Sequence, residues 1–193
     1  MKNIYLILFI PLALIVYIFS SDKYIHGDIL IWKKESLEKL GGKVNSLFKV
    51  CLLLSSNRIF RSIFYHRLKC MNTSLNIFSR ILSIFYWKER LLVIYTRDIG
   101  PGLFAQHGIV TGIAAKKIGK NFMINHMTTI GYTDNFSAPT IGDNVRVYAG
   151  AIILGDIHIG DNAIISAGSV VVKDVEANTT VGGVPAKVIK RNG

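Results

Sequence analysis

The chain has 193 residues, half of which are apolar, and a formal net charge of +11 at neutral pH. This length suits one domain of ordinary size, or a small domain with a helical appendage, and it excludes several large domains. The charge favours an anionic partner, which nucleic acid, an acidic membrane surface, a phosphate-bearing cofactor or an acidic polymer could supply.

The first element in the chain is an apolar segment, residues 1–20, that carries no charge from Ile4 to Phe19 and is expected to kink at Pro11. It is slightly shorter than the roughly 20 residues that span a bilayer comfortably. Three interpretations stay open: a membrane anchor or interfacial helix, a helix buried in an oligomer, and a cleaved signal peptide. If the segment spans a membrane, more lysines follow it than precede it, so the remainder faces the cytoplasm.

Residues 21–95 are predicted to form a basic amphipathic helical region. The segment GDILIWKKESLEKLGG predicts a short helix that ends at Gly41 and Gly42. Two longer segments, residues 46–70 and 74–95, mix apolar and basic residues at helical spacing, which predicts two further helices.

This helical region carries most of the positive charge and both cysteines. Between residues 47 and 97, nine lysines and arginines accompany one acidic residue, Glu89. No nucleic-acid-binding motif is present, so no nucleic-acid partner is predicted, and a surface for anionic lipid and a plain solvated face stay open. Cys51 and Cys70 lack metal-like spacing, which predicts reduced, buried thiols in a cytoplasmic protein.

From Ile99 onward, an aliphatic residue returns at every sixth position. The two registers are Ile118, Ile124 and Ile130, and then Ile141, Val147, Ile153, Ile159, Ile165 and Val171. Three such units, each one short strand and one turn, close a triangular coil whose repeated aliphatic points inward. Sandwich strands would show variable spacing. The predicted fold class is therefore α+β: a helical N-terminal half followed, over residues 96–193, by a left-handed parallel β-helix.

The two registers are separated by an insertion. From Ile130 to Ile141 the spacing is five residues longer than one repeat, so GYTDNFSAPT is predicted to leave the coil as a loop. Loops on rigid scaffolds often carry function.

Residues 94–190 resemble the hexapeptide-repeat acyltransferases. The motifs that carry the resemblance are IGPGLFAQHG, IGKNFMINHMTTIG, PTIGDNVRVYAGAIILGDIHIGDN and the ending GGVPAKVIK. The sequence is most similar to the serine-acetyltransferase-like branch, and within it to the O-acetyltransferases associated with bacterial surface polysaccharides.

The resemblance implies direct transfer of an acetyl group from acetyl-CoA to a hydroxyl. An alcohol is a weak nucleophile at neutral pH, so a base must take its proton during attack on the thioester. The family's catalytic histidine lies in the segment that matches FAQHG, which makes His107 the candidate base. His126 is expected near the site without acting as base, and His158 is expected to point outward. The wide separation of these three histidines predicts no metal site.

The resemblance also implies a cofactor site. In related acetyltransferases the CoA arm contacts small residues one coil apart and basic residues beyond the coil, and the matching positions are Ala149, Ala167, Lys173, Lys187 and Lys190. Small side chains would let the pantetheine lie flat, and the lysines could meet the phosphates as point charges.

The chain departs from the serine acetyltransferases at two places. Ser137 and Ala138 stand where those enzymes carry an Arg-His pair that holds the amino-acid substrate, so serine would lose a charge partner. Gln106 stands where the family has an aspartate before its histidine, and Asp98 does not match the family's orienting aspartate in register.

These observations predict an O-acetyltransferase that acts on a sugar hydroxyl of a bacterial surface polysaccharide or its precursor. Serine O-acetyltransferase of cysteine biosynthesis is one alternative, and a non-catalytic, membrane-associated solenoid scaffold is another. The resemblance implies a homotrimer with active sites between neighbouring coils. The protein is expected in the cytoplasm at the inner face of the cytoplasmic membrane, with an anionic membrane surface as a further partner.

Overall fold

The computed structural model describes residues 8–37, 46–133 and 137–191, which fold as two compact units, Met1–Glu89 and Arg90–Gly193. The first unit is helical and the second is a parallel β-helix of about five turns. The predicted α+β class, with a helical half followed by a left-handed β-helix, is confirmed.

The described residues of the first unit form short helices. Their bounds are α1 Ile10–Ile18, α2 Lys23–Trp32, α3 Ser46–Ser56, α4 Arg58–Met71 and α5 Thr73–Phe85, with a 3₁₀ turn at Phe19–Ser21 and a π-turn at Lys33–Leu37. Three of the helices begin at a polar cap: the side chains of Asp22, Asn57 and Asn72 accept hydrogen bonds from backbone N–H groups of the first turn.

Local chemistry changes several predicted helix bounds. Pro11 lies in the first turn of α1, where its missing N–H removes no helical hydrogen bond, so the expected kink is absent from the described part of the helix. The predicted helix over residues 46–70 divides at Asn57, whose extended backbone and capping side chain start α4. The predicted stop at Gly41 and Gly42 lies outside the described residues.

The described helices include none with both the length and the apolar character needed to cross a bilayer. Among the described residues, the first helix, α1, has nine residues. Residues 1–7 of the predicted apolar segment lie outside the part of the chain that the structure describes.

The core of the helical unit combines large apolar side chains with one buried ion pair. Trp32 packs edge-on against Phe60, with ring centroids 5.5 Å apart. Arg67 donates two hydrogen bonds to the Asp28 carboxylate, at 2.8 and 2.9 Å, and both side chains are almost fully buried. A bidentate pair of this kind fixes the register of α2 against α4, since either charge alone would be costly to bury.

The two cysteines have different environments. Neither cysteine forms a disulfide; Cys51 on α3 is buried, and Cys70 in the last turn of α4 is exposed. The prediction of two buried thiols is therefore wrong for Cys70. Burial raises the pKa of the Cys51 thiol, because the thiolate is poorly solvated there.

The described residues of the second unit form fourteen short strands. Their bounds are β1 Leu92–Ile94, β2 Phe104–Gln106, β3 Thr111–Ile113, β4 Lys117–Ile118, β5 Met123–Asn125, β6 Thr129–Gly131, β7 Thr140–Ile141, β8 Arg146–Val147, β9 Ile152–Leu154, β10 His158–Ile159, β11 Ile164–Ile165, β12 Val170–Val171, β13 Thr179–Gly182 and β14 Lys187–Arg191. The first of these strands falls inside the segment that was predicted to be helical, residues 74–95.

Three parallel sheets form the faces of the triangular coil. The first contains β1, β3, β6, β9 and β12; the second contains β4, β7 and β10; the third contains β2, β5, β8, β11 and β13, with β14 added antiparallel to β13. The repeat aliphatics stack in register between coils, as with Ile130 and Ile153, and both are almost completely buried. The six-residue repeat therefore identified the core positions correctly.

The corner between the second and third sheets explains the recurring Ile-Gly-Asp-Asn sequence. A Cβ on Gly119 would lie 2.6 Å from the backbone of Gly142 in the next coil, so the coils stack only over glycine. Asn121, Asn144, Asn162 and Asn178 adopt positive φ angles of 55° to 58°, which asparagine tolerates. Their side-chain amides form a ladder of hydrogen bonds at 2.9 to 3.1 Å.

The predicted loop lies between β6 and β7. Residues 132–139 separate these strands, and residues 134–136 among them lie outside the described residues. Ser137 and Ala138 are half-buried and lie outside the strands, so the loop leaves the coil where the hexapeptide spacing breaks.

Candidate active site

Four of the predicted or considered site residues lie on one edge of the β-helix. This edge consists of the turns that lead from the third sheet back to the first, and we call it the corner column. Each of the four follows an inward-facing residue by two positions: His107 after Ala105, His126 after Ile124, Ala149 after Val147 and Ala167 after Ile165. The register therefore places them in four consecutive coils.

Backbone hydrogen bonds join the turns of the corner column. The N–H of Met127 donates to the carbonyl of Ile109 at 3.0 Å, and that of Gly150 donates to the carbonyl of His126 at 3.1 Å. The N–H of Gly168 donates to the carbonyl of Ala149 at 2.9 Å. The order along the column is thus His107, His126, Ala149 and Ala167, on a rigid hydrogen-bonded frame.

The turn that carries His107 differs from the others in the column. Ala105 pairs with Ile124 and Ile113 with Ile130, so this turn holds two more residues than the next one. His107 and Val110 adopt φ angles of 52° and 53°, and conformations of this kind cost on the order of 1–3 kcal/mol per residue. The side chain of His107 is exposed. Strain of this kind at an exposed histidine is typical of a functional site.

His126 lies directly beside His107. Their ring centroids are 6.3 Å apart and the ring planes meet at 74°. His126 is half-buried, and its Nδ1 is one of three buried side-chain atoms in the described residues that lack a hydrogen-bond partner, the others being Asn125 Oδ1 and Ser169 Oγ. Two of these unsatisfied atoms therefore belong to adjacent residues, Asn125 at the end of β5 and His126 in the corner column, and such atoms are rare enough to need an explanation.

Asp98 and His158 lie away from this edge. His158 is exposed on β10 of the second sheet. The Asp98 carboxylate lies 3.8 Å from the Lys117 ammonium group, where both side chains are exposed. Gln106 ends β2 opposite Asn125, so no carboxylate takes the position before His107.

The three predicted cofactor lysines lie at the C-terminal end of the β-helix, and all are exposed. Lys173 follows β12 at a corner other than the corner column, while Lys187 and Lys190 lie on β14. Lys173 and Lys187 line one depression of about 340 Å³, together with Asp174 and Glu176. The structure thus brings Lys173 and Lys187 together at one depression.

The acidic residues reduce the positive charge of this depression only in part. Arg191 on β14 forms a hydrogen-bonded ion pair with Glu176, and this contact lowers the pKa of the Glu176 carboxyl. Arg191 therefore neutralises the Glu176 carboxylate, which leaves the positive charge of Lys173 and Lys187 less compensated.

The described residues contain no group of three histidines, cysteines or carboxylates that could hold a metal ion.

The sequence predicts His126 near the site but does not identify its neighbours. The signal that could have found the pair is positional, since both histidines follow an inward-facing residue by two places. The wider turn was also readable, because Ala105 and Ile113 are eight residues apart instead of six.

The hexapeptide β-helix is the feature that this chain shares with a known family. Residues 138–173 match the family described as bacterial transferase hexapeptide (six repeats). The resemblance to hexapeptide-repeat acyltransferases of the serine-acetyltransferase-like branch is confirmed by this match and by the structural neighbours, although the polysaccharide branch is not singled out.

The particular proteins it resembles are serine acetyltransferases. That of Staphylococcus epidermidis is 41% identical over 99 residues, which are 49% of this chain and 46% of that protein. The structure of the Neisseria gonorrhoeae enzyme in complex with serine matches with a TM-score of 0.64 and 29% identity, over 89% of this chain and 71% of that one. The Brucella abortus enzyme in complex with coenzyme A gives 0.65 and 27%, over 90% and 69%.

These comparisons correct one prediction. The chain was expected to acetylate a surface polysaccharide or its precursor, yet the curated relatives and the structural neighbours are serine acetyltransferases. The prediction of a glycan acceptor is therefore wrong, and the alternative prediction, a serine O-acetyltransferase, is better supported. The chain spans about half the length of the curated relatives it matches.

Proposed function

We propose that this protein is an acetyl-CoA-dependent O-acetyltransferase and that its acceptor is the hydroxyl of L-serine. The observation that carries this proposal is the corner column, where His107 and His126 continue the line of the small residues Ala149 and Ala167. The serine acetyltransferases that match the chain in sequence and fold support both the reaction and the acceptor.

His107 acts as the general base in this proposal. The imidazole takes the proton of the acceptor hydroxyl while the oxygen attacks the thioester carbonyl carbon. The carbon–sulfur bond then breaks, and the imidazolium returns the proton to the departing thiolate of CoA. The exposed position of His107 in its wide turn leaves its ring open to a substrate from the outside.

Acetyl-CoA lies along the corner column, with its pantetheine arm against Ala149 and Ala167. The Brucella abortus neighbour binds coenzyme A, which supports this cofactor. The lysines at the C-terminal end, Lys173, Lys187 and Lys190, provide positive charge for the phosphate groups of CoA. Of these, Lys173 and Lys187 share one depression and are the stronger pair.

The acceptor site is the least typical part of the molecule. Ser137 and Ala138 are neutral at the positions where serine acetyltransferases carry an Arg-His pair. A serine carboxylate would therefore bind here without that charge partner, and we expect a KM for L-serine higher than an enzyme with the pair would show.

Assembly and location complete the proposal. We expect a homotrimer in which the corner column of one chain forms half of each active site and a neighbouring chain forms the other half. We also propose that the helical unit holds the protein at the inner face of the cytoplasmic membrane through anionic lipid. An exposed apolar face on α5, with the exposed Arg80 on the same helix, supports this location.

The direct test is release of CoA from acetyl-CoA by the purified protein with and without L-serine. Release that depends on L-serine, with O-acetylserine as product, is the expected result. If acetyl-CoA binds but L-serine stimulates no release, the proposed acceptor is wrong. If acetyl-CoA does not bind at all, the chain is a non-catalytic scaffold and the proposal fails entirely.

A further inference from the structure

His126 occupies the coil between the proposed base and the small residues of the corner column. Its carbonyl accepts the N–H of Gly150, and its ring lies 6.3 Å from that of His107. This separation is too long for a direct hydrogen bond between the rings, which needs donor and acceptor within about 3.2 Å. At this centroid distance the two rings lie near edge-to-face contact, so a reacting group lies alongside both imidazoles and not between them.

The environment of its ring indicates which nitrogen of His126 carries the proton. Nδ1 is buried without a partner, so Nε2 is the nitrogen that can reach the exterior of this half-buried side chain. A neutral imidazole has one donor and one acceptor nitrogen. A buried N–H without an acceptor is rarer than a buried acceptor without a donor. The proton therefore lies on Nε2, and His126 presents an N–H donor toward the corner column.

The order of residues along the column determines what this donor meets. If the pantetheine arm lies against Ala167 and Ala149, the next coil along the column is that of His126. The thioester at the end of the arm then lies at His126, and the acceptor hydroxyl lies one coil further, at His107. We propose that the Nε2–H of His126 donates a hydrogen bond to the carbonyl oxygen of the acetyl thioester. This inference rests on the proposed acetyl transfer.

The contribution of His126 belongs to the transition state. As the acceptor oxygen bonds to the carbonyl carbon and gives its proton to His107, negative charge develops on the carbonyl oxygen. The Nε2–H stabilises that charge until the carbon–sulfur bond breaks and the carbonyl forms again. A donor preorganised on a rigid turn accelerates the reaction without reorganising first. His126 is then a second catalytic residue, distinct in role from the base.

The test compares His126→Ala and His126→Gln with the matched control His158→Ala, which removes an exposed imidazole from another face. Loss of one oxyanion donor lowers kcat by about 100- to 1,000-fold. We expect such a loss in His126→Ala, with little change in the KM for acetyl-CoA or in the Kd for CoA measured by calorimetry. His126→Gln keeps an N–H donor and should recover part of the loss, and His158→Ala should match the wild type.

Four results would overturn the inference. A kcat of His126→Ala close to that of the wild type, with His107→Ala inactive, leaves the proposed function intact and removes the role of His126. A loss of CoA affinity as large as the loss of kcat, or equal losses in the Ala and Gln variants, shows a structural role only. A wild-type protein that transfers no acetyl group overturns the inference together with the proposed function.

Discussion

At the scale of single residues, the proposed chemistry depends on side chains that share one edge of the coil. His107 lies exposed in a turn that is two residues wider than the turn of the next coil, and His126 is the adjacent imidazole in that coil. The sequence predicted His107 through a family motif. The pairing with His126 became evident only from the strand register between neighbouring coils. The missing Arg-His pair at Ser137 and Ala138 leaves the acceptor site without a cation at those positions.

Restoring that pair should strengthen the binding of serine. We expect the double variant Ser137→Arg with Ala138→His to lower the KM for L-serine at least several-fold with little change in kcat, because charge-assisted hydrogen bonds to a carboxylate contribute about 1.5–3 kcal/mol. Steady-state kinetics at saturating acetyl-CoA measures this change. Ser137→Gln with Ala138→Asn is the neutral control, and an equal effect of both variants would argue against a charge interaction.

The two thiols should react at different rates. Cys70 is exposed and Cys51 is buried with a raised pKa, so less Cys51 is present as thiolate at a given pH. Brief treatment with iodoacetamide near neutral pH should alkylate Cys70 and leave Cys51 largely unmodified until the protein unfolds or the pH rises. Peptide mass spectrometry reads both sites in one sample. Equal modification of the native protein would contradict the buried position of Cys51.

At the scale of elements, each coil is specified by a short repeat and held by contacts to the next coil. The aliphatic positions fill the interior, and glycine at the corner between the second and third sheets allows the backbones to approach closely. The sequence predicted these coils well because their period is strict. It did less well at β1, because a short apolar run such as Leu92–Ile94 has no periodicity that separates strand from helix.

The glycine contact predicts a difference between two Gly→Ala variants. A Cβ on Gly119 would lie 2.6 Å from rigid backbone of the next coil, whereas a Cβ on Gly112 would meet nothing within 4 Å. Gly119→Ala should lower the free energy of unfolding by about 1–3 kcal/mol, the usual cost of overpacking. Gly112→Ala, at an ordinary φ, should be neutral or slightly stabilising in the same denaturant titration. If both variants unfold like the wild type, coil stacking does not depend on this corner.

The helical unit supports a prediction about lipid. On α5, the exposed apolar residues Ile77, Ile81, Ile84 and Phe85 form one face, and each side chain is 51% to 75% exposed. Acidic residues are absent from α5, and Arg80 lies at the edge of this face, so an anionic bilayer complements it better than a second copy of a strongly basic chain. The protein should sediment with vesicles that contain phosphatidylglycerol and stay unbound with neutral phosphatidylcholine vesicles.

A variant on the same face tests this surface. Ile81→Asp with Ile84→Asp should abolish vesicle binding, while Val172→Asp, an exposed position of the β-helical unit, should leave it unchanged. If the double variant binds vesicles normally and changes the oligomeric state instead, the face of α5 is a contact between protein chains and the proposed lipid surface is wrong.

At the scale of the whole molecule, fold and substrate differ in how far they can be predicted. The β-helix follows from a six-residue period that any reader of the sequence can count. The identity of the acceptor does not follow from this period. In the proposed function it depends on the loop between β6 and β7 and on a few side chains such as Ser137, which no periodicity constrains. A family motif indicated acetyl transfer, and the comparison with serine acetyltransferases corrected the acceptor.

The central claim is that the corner column transfers acetyl groups with His107 as base, and one substitution tests it most directly. The rate of L-serine-dependent CoA release should fall by about 100- to 10,000-fold in His107→Ala, the range that general-base catalysis contributes. His158→Ala should keep the wild-type rate, and both variants should keep the wild-type circular dichroism spectrum and CoA affinity. A folded His107→Ala protein that releases CoA at nearly the wild-type rate would contradict the account.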